Sequence, residues 1–427
     1  MNKPLGERAV AEPRLSVDEA RARLLAAIVP VGAWESVSTR DALGRVLARS
    51  VVAPFDVPRD DNAAMSGYAI RAADIAPALE ATRLGVVGSA LPGRPFSGVV
   101  GAGHAVRVAT GAPIPAGADA VVRHESVTLE MIDGRELLLV APGTLVGENI
   151  RRAGENLARG KTALPAGKRV GPAELGLLAS LGIAEVTVHR RPRVAFLSIG
   201  DDLCAVGRPL GPGEVYDSNR YTLFGALTEL GVEVLDLGVL SNDPVVLERA
   251  LREAGENADV IITSSGGATS TENEHGKSAG LHALLGQLGS VEHWTLDLKP
   301  GRPLAFGRIG RAVFFGLPGN PVAVMVSFYQ FVIDGLLRLM GVDPVPVRPI
   351  FRVPIVESIG QASSRREYRR GLLGVENGEW RVRLAGSRGS GVLRSMSEAN
   401  CFIILEPDRE CVAAGELVAV QMFEGLF

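Results

Sequence analysis

Hydrophobic and polar positions follow different rhythms along this chain, and the changes of rhythm mark its parts. From Leu15 to Ser50 the spacing is helical. The run SVDEARARLLAAI opens on Ser16 with Glu19 three residues on, the spacing of a reciprocal helix cap. From Val51 to Ile150 short alternating runs are broken by Gly and Pro, as in LPGRPFSGVVGAG, TGAPIPAGADAVVRHE and ELLLVAPG. That texture predicts a β-rich unit. GPAELGLLASLGIAEVTVHRRP then returns to one helix and one strand.

From Arg193 strands and helices alternate. RVAFLSIG reads as a strand and YTLFGALTELG as a helix ending at Gly231. VEVLDLGVL is the next strand, and DPVVLERALREAGEN a helix capped by Asp243 with Pro244 in its first turn. ADVIITS, the helix SAGLHALLGQLG and the strand AVFFGLPGNP follow, the last feeding a helix after Pro321. Such alternation predicts a mostly parallel sheet. After Val342 short β-patterned segments return, such as CFIILE and LVAVQMF, which suits a small C-terminal β-barrel or sandwich. The expected fold class is therefore multidomain α/β plus β. Residues 12–50 with 151–190 form a discontinuous helical and linker domain, 51–150 a β-rich inserted domain, 191–341 the central α/β domain, and 342–427 the C-terminal β domain.

Composition narrows the function classes. At about 100–200 residues per domain, 427 residues predict two to four domains. A net charge of -3 lacks the footprint of a nucleic-acid or anionic-membrane binder. The three cysteines, Cys204, Cys401 and Cys411, are far from any CxxC spacing, and the six histidines show no HxxxH or HxH. A zinc site is not expected, and a reducing cytoplasm is. The N-terminus lacks the apolar core of a secretion signal. The apolar stretch Val322 to Met340 is interrupted by Ser327, Gln330, Asp334 and Arg338, so it reads as a core helix and not a membrane span.

The candidate chemistry sits at strand ends, where open α/β sheets bind ligands. Three ends are rich in Gly, Ser or Asn: SIGDDL (Ser198–Leu203), TSSGGATSTENEHGK, and LPGNPVA (Leu317–Ala323). Glycine lets a backbone approach a ligand, and clustered N–H groups attract anions. Ser265, Gly266, Gly267 and Thr269 thus read as an anion cradle. Lys299 and Arg302 bracket the Pro-Gly turn of LKPGRP and read as a cationic clamp. Any one of these loops alone would be an ordinary turn; three on one sheet favour a binding edge.

Taken in order, TGAPIPAGADAVV, IRRAGEN, YDSNR, SSGG, KPGRP, GLPGNPVA and GSRGSG…ANCFIILE resemble the molybdopterin molybdotransferase family, of the MoeA and gephyrin E-domain type. The resemblance spans about Ser16 to Phe427. It implies a homodimer of four-domain subunits with the active cleft between the α/β domain of one subunit and the β domains of the other. It also implies binding of adenylylated molybdopterin, release of AMP, and insertion of molybdate, with Mg²⁺ as the ion. Lys299, Arg302 and Arg370 match the family's molybdate-contacting cations, and Ser390 a hydroxyl contact. Thr110 matches the TGAP threonine. Asp217, Ser218 and Asn219 match its YD(S/T)N loop. Ser265, Gly266, Gly267, Pro318, Gly319 and Asn320 match the pterin-phosphate cradle.

The acidic positions depart from the pattern. Ser66 stands for an aspartate, Asn156 ends the RxGED motif, and Asn242 replaces the aspartate of DDP. Asp202 stands for a glutamate, Glu274 for an aspartate, and Thr295 for a lysine before KPG. Asp202 and Glu274 remain as the expected Mg²⁺ ligands, and Mg²⁺ is sensitive to carboxylate reach. Glu272 and His275 read as solvated loop residues, and His104 and His124 as structural or surface residues. The expected function is molybdate insertion into adenylylated molybdopterin. Other cofactor-biosynthesis proteins are further candidate partners. The alternative is a non-catalytic paralogue that binds molybdopterin and molybdate for delivery or storage. A scaffold role, as in gephyrin-type relatives, is a third reading.

Overall fold

In a computed structural model of the chain, residues 14–75, 81–264, 277–360, 363–386, 393–407, 409 and 411–423 are described, with backbone alone for 277–280. The first helix, Val17–Ala27, begins where the cap spacing places it. Ser16 Oγ accepts the Glu19 amide, and the Glu19 carboxylate accepts the Ser16 amide at 2.9 Å. The helical expectation through Ser50 holds only for this segment. Trp34–Ser38 is a strand paired antiparallel with Glu185–His189, and Val51–Val52 pairs with Thr162–Leu164. These partners are more than a hundred residues away, so a local pattern carries no trace of them.

Residues 62–140 hold a six-stranded sheet in the order Ala120–Arg123, Gly67–Ile70, His104–Val108, Thr82–Ala90, Arg135–Val140, Val127–Ile132. It buries apolar residues on both faces, around Tyr68, Ile70 and Leu84 on one and Ala69, Val106 and Val121 on the other. The Gly/Pro-rich texture thus encloses cores of its own.

The central sheet runs in the order Glu233–Leu240, Arg193–Ile199, Val260–Ser264, Ala312–Leu317, Pro303–Ile309, Gly289–Thr295. The first four strands are parallel, and the last two extend the sheet antiparallel. One face packs against helices Ser218–Leu230 and Val17–Ala27 and the helix that starts at Pro321. The other packs against Pro244–Asn257 and Lys277–Leu288. Capping residues set the helix starts: Asp217, Asp243 and Asn320 each accept a backbone amide of the first turn. Gly231 ends Ser218–Leu230 at φ 84°, a conformation that suits glycine.

The Pro321–Leu339 helix is long and apolar enough to cross a membrane, yet 83% of its apolar window is buried inside the fold. It is a core helix. Phe328–Val332 within it is wound as a π-helix. Its one buried carboxylate, Asp334, meets Arg21 at 2.6 Å and Arg348 at 3.0 Å. Burial pushes the Asp334 carboxyl up, and the two guanidinium groups oppose that shift.

The C-terminal sheet has the order Leu298–Lys299, Arg366–Glu376, Cys401–Leu405, Leu417–Met422, Phe351–Pro354, with Glu379–Leu384 also on Arg366–Glu376. Its first strand belongs to the KPG segment of the α/β region. That pairing joins the candidate clamp to the C-terminal domain.

Candidate functional site

The parallel register aligns three loop origins. Ser198 lies opposite Ser264, and Ser264 opposite Leu317, so these three strands end at the same edge of the sheet, where GDDL and LPGN begin. Strand order reverses between Arg193–Ile199 and Val260–Ser264. The chain leaves the first by way of helix Ser218–Leu230 on one face and reaches the second by way of Pro244–Asn257 on the other. Such a reversal opens a crevice that α/β proteins use for ligands. At its floor Ser198 Oγ and Ser264 Oγ are 2.9 Å apart and fully buried.

Two further loops converge here. Asn219 Nδ2 donates to the Gly319 carbonyl at 2.8 Å, which ties YDSN to LPGN. Asp217 caps its helix by accepting the Arg220 amide at 3.1 Å. Asn320 caps the core helix by accepting the Val322 and Ala323 amides at 3.0 and 3.2 Å. Pro321 has no N–H, so the first free donors of that helix are already engaged; what remains toward the crevice is the helix dipole.

The cations stand beside LPGN. Lys299 and Glu367 are opposite each other in the short parallel ladder. Lys299 Nζ meets Glu367 Oε1 at 3.4 Å, and Arg369 Nε meets the same oxygen at 3.2 Å. Glu367 is buried and orients both cations. Gly301, at φ 106°, brings the KPG turn against the core helix, where a Cβ would lie 3.1 Å from Ser327 Oγ. Arg302 is exposed. Arg370 Nε donates to Ser395 Oγ at 2.9 Å. Burial and then the neighbouring Arg369 pull the Arg370 guanidinium below its ordinary value.

The acidic corner is sparser. Asp201 accepts the Asn242 amide at 3.0 Å and Asn242 Nδ2 at 3.1 Å. Asp202, next to it, is exposed. Among the described residues no group of three or more His, Cys, Asp or Glu side chains could enclose a metal. In the β-rich unit Ser66 Oγ accepts the Thr110 amide at 3.1 Å. Asn156 is held through its backbone, its N–H on the Val57 carbonyl at 3.0 Å.

The structure therefore brings together Asp217, Ser218, Asn219, Pro318, Gly319 and Asn320 at one corner; it places Lys299 opposite Glu367, Arg370 three residues further along the Glu367 strand, and Arg302 just after the KPG turn. Thr110 and Ser66 lie in loops beside strands of a separate sheet, and among the described residues neither bonds to the α/β domain. Ser265, Gly266, Gly267, Thr269, Glu272, Glu274, His275 and Ser390 lie outside the described residues. Sequence reading missed Glu367, Ser395 and the Ser198–Ser264 pair. Alternation in REYRRG could have flagged Glu367 as an inward charge; Ser395 and the serine pair carry no local signal.

These features define a multidomain α/β protein whose sheet reversal opens a loop-lined crevice, with the KPG segment that carries Lys299 paired to the C-terminal β sheet. Residues 15–182 match the MoeA N-terminal region (domain I and II), 195–338 a probable molybdopterin binding domain, and 352–423 the MoeA C-terminal region (domain IV). Molybdopterin molybdenumtransferase of Haemophilus influenzae is 38% identical over 413 residues, covering 96% of this chain and 99% of that protein. Molybdopterin molybdenumtransferase 1 of Mycobacterium tuberculosis is 33% identical over 434 residues, covering 95% and 98%. The crystal structure of the molybdopterin biosynthesis moeA protein from Pyrococcus horikoshii OT3 superposes with TM-score 0.77 at 28% identity, covering 96% of this chain and 100% of that one. The chain belongs to the MoeA family of molybdopterin molybdenumtransferases.

Proposed function

We infer that this protein is a molybdopterin molybdenumtransferase that inserts molybdate into adenylylated molybdopterin with release of AMP. The observation that carries the reading is the convergence of the LPGN and YDSN loops with the Lys299 strand at one edge of the sheet. A tetrahedral dianion needs several fixed donors, and Lys299, Arg302 and Arg370 supply them. Glu367 holds Lys299 and Arg369 and keeps the local charge from repelling itself. A charge-assisted contact of this kind contributes roughly 1.5–3 kcal/mol, against near zero for a solvated charge.

Mg²⁺ commonly binds through one or two carboxylates plus substrate phosphates. Asp202 fits that mode: it is exposed at the loop edge and, unlike Asp201, is not engaged by Asn242. Asp202 and Glu274 would hold the ion, which would act as a Lewis acid on the phosphate linkage. Thr110, supported by Ser66, contributes from the β-rich unit. In a twofold homodimer the β domain of one protomer faces the crevice of its partner, which brings Thr110 to the clamp. A cytoplasmic site agrees with the three cysteines, which are free.

Purified protein with adenylylated molybdopterin, molybdate and Mg²⁺ should release AMP and yield active cofactor, each measured separately. The second reading is a binding paralogue for delivery or storage, favoured by the pairing of Asp201 with an amide where the family has a carboxylate. It requires tight cofactor binding without AMP release.

A further inference from the structure

Two oxygen acceptors in the first turn of helix Ser218–Leu230 and the residue before it are buried without a hydrogen-bond partner. They are Asp217 Oδ2 and Asn219 Oδ1, on side chains 2% and 6% exposed. Their other polar atoms are occupied: Asp217 Oδ1 accepts the Arg220 amide, and Asn219 Nδ2 donates to Gly319. Arg220, whose amide Asp217 caps, commits its guanidinium to Asp236 at 2.7 Å. A buried acceptor left unmatched costs about 1–3 kcal/mol, so the sequence retains both for a ligand that donates. Phosphate and molybdate oxyanions have no donors to give, and a buried carboxylate repels them. This corner is thus the wrong polarity for the anionic end of the substrate.

We propose that Asp217 Oδ2 and Asn219 Oδ1 form an acceptor patch for the N–H edge of the substrate's pterin ring, and that they set its orientation in the crevice. The proposal rests on the transferase reading and specifies which end of the substrate meets which loop. A 2-amino-4-oxopyrimidine presents two neighbouring donors, N3–H and the 2-amino group. The adenine edge of the same substrate alternates its single amino group with ring-nitrogen acceptors and matches two acceptors poorly. The patch lies next to Gly319 and on the face of the sheet that carries Ser198 and Ser264, at the strand reversal. The pterin then enters the crevice beside YDSN and directs its side-chain phosphate away, toward the cationic strand.

The test uses the full-length protein and three probes: 6-hydroxymethylpterin, AMP and molybdate, each titrated by calorimetry. Asp217→Ser keeps a capping oxygen for the Arg220 amide and removes the second one. Asp217→Asn keeps the shape and allows the second atom to become a donor. Both should weaken 6-hydroxymethylpterin binding at least about ten-fold and leave AMP and molybdate affinities within two-fold, roughly the loss expected for one hydrogen bond to a charged group. Thermal unfolding checks that both variants are folded, and Asp217→Ser remains informative where Asp217→Asn is not. Equal pterin affinity in wild type and folded variants overturns the proposal, as does weakening of AMP binding in place of pterin binding. Failure of the transferase reading would show elsewhere, as a wild-type protein that releases no AMP from adenylylated molybdopterin.

Discussion

Ser66 Oγ lies 3.1 Å from Thr110 Oγ1 and accepts the Thr110 amide at the same distance. The serine therefore supports the threonine of the TGAP turn through its main chain. Both residues are exposed, so the bond is a weak one in stability terms. Ser66→Ala should cost about 0.5–1 kcal/mol in chemical unfolding. Ser66→Asp keeps an acceptor for the amide and should unfold at nearly the wild-type denaturant concentration. A Ser66→Asp protein as unstable as Ser66→Ala would show that the hydroxyl donor, and not the acceptor, matters.

The clamp gives a prediction in both directions. Lys299→Ala and Arg302→Ala should each weaken molybdate binding by roughly 1.5–3 kcal/mol, while Glu256→Ala, exposed near the far end of its helix, should change it by almost nothing. Glu367→Gln should tighten molybdate binding, because it releases Lys299 and Arg369 from a shared carboxylate. Calorimetry at low salt reads all four. Equal affinities across the set would remove Lys299 and Arg302 from the anion site.

Much of this arrangement was legible before any coordinates. Ser16, Asp243 and Gly231 mark helix ends because capping is a local interaction between residues a few positions apart. The strands Val260–Ser264 and Ala312–Leu317, within ADVIITS and AVFFGLPGNP, are mostly apolar and buried along their whole length because both faces of a central strand are covered. The antiparallel pair Gly289–Thr295 and Pro303–Ile309 was not legible. Gly289–Thr295 is one of the sheet's two edge strands, where polar residues such as Ser290 and Glu292 are tolerated and blur the alternation. Trp34–Ser38 was hidden for the other reason, a partner far along the chain. At the site, motif spacing pointed to Lys299 and Asn219, but their partners Glu367 and Gly319 come from register and loop contact.

The stacked pair His282 and His293 should make stability depend on pH. Their ring centroids are 3.6 Å apart, and burial followed by the His282 charge pushes His293 from its ordinary 6.5 down to about 4. Between those values the unfolded chain binds the proton that the folded chain refuses. The unfolded state therefore gains as pH falls from about 6.5 toward 4, and stability falls with it. His293→Phe keeps a ring on the stack and removes the proton site. Its thermal midpoint should drop less than wild type between pH 7 and pH 4.5. Parallel curves for the two proteins would assign the acid sensitivity to other groups.

Asn242 is the departure with the plainest physical consequence. Its side-chain amide donates to Asp201 Oδ2 at 3.1 Å, and its main-chain N–H to Asp201 Oδ1 at 3.0 Å. Asn242→Asp restores the aspartate of the DDP motif and leaves the main-chain bond intact. It replaces the amide donor by a second carboxylate facing the first. Like charges at that range repel unless a proton or a cation intervenes. The site is exposed, so the penalty should stay near 1 kcal/mol. In chelator the variant should unfold at a lower temperature than wild type. Millimolar Mg²⁺ should restore more stability to the variant than to wild type, because a cation that binds only the folded state stabilises it by mass action. With Asp202→Glu added, the family's carboxylate reach returns on two of the altered positions, and AMP release should rise; a ten-fold gain corresponds to about 1.4 kcal/mol in the barrier. Molybdate affinity should stay unchanged, since the oxyanion uses Lys299 and Arg302. A variant whose midpoint is indifferent to Mg²⁺ would mean that the corner formed by Asp201, Asp202 and residue 242 does not gather a cation, and that the ion must find its oxygens elsewhere.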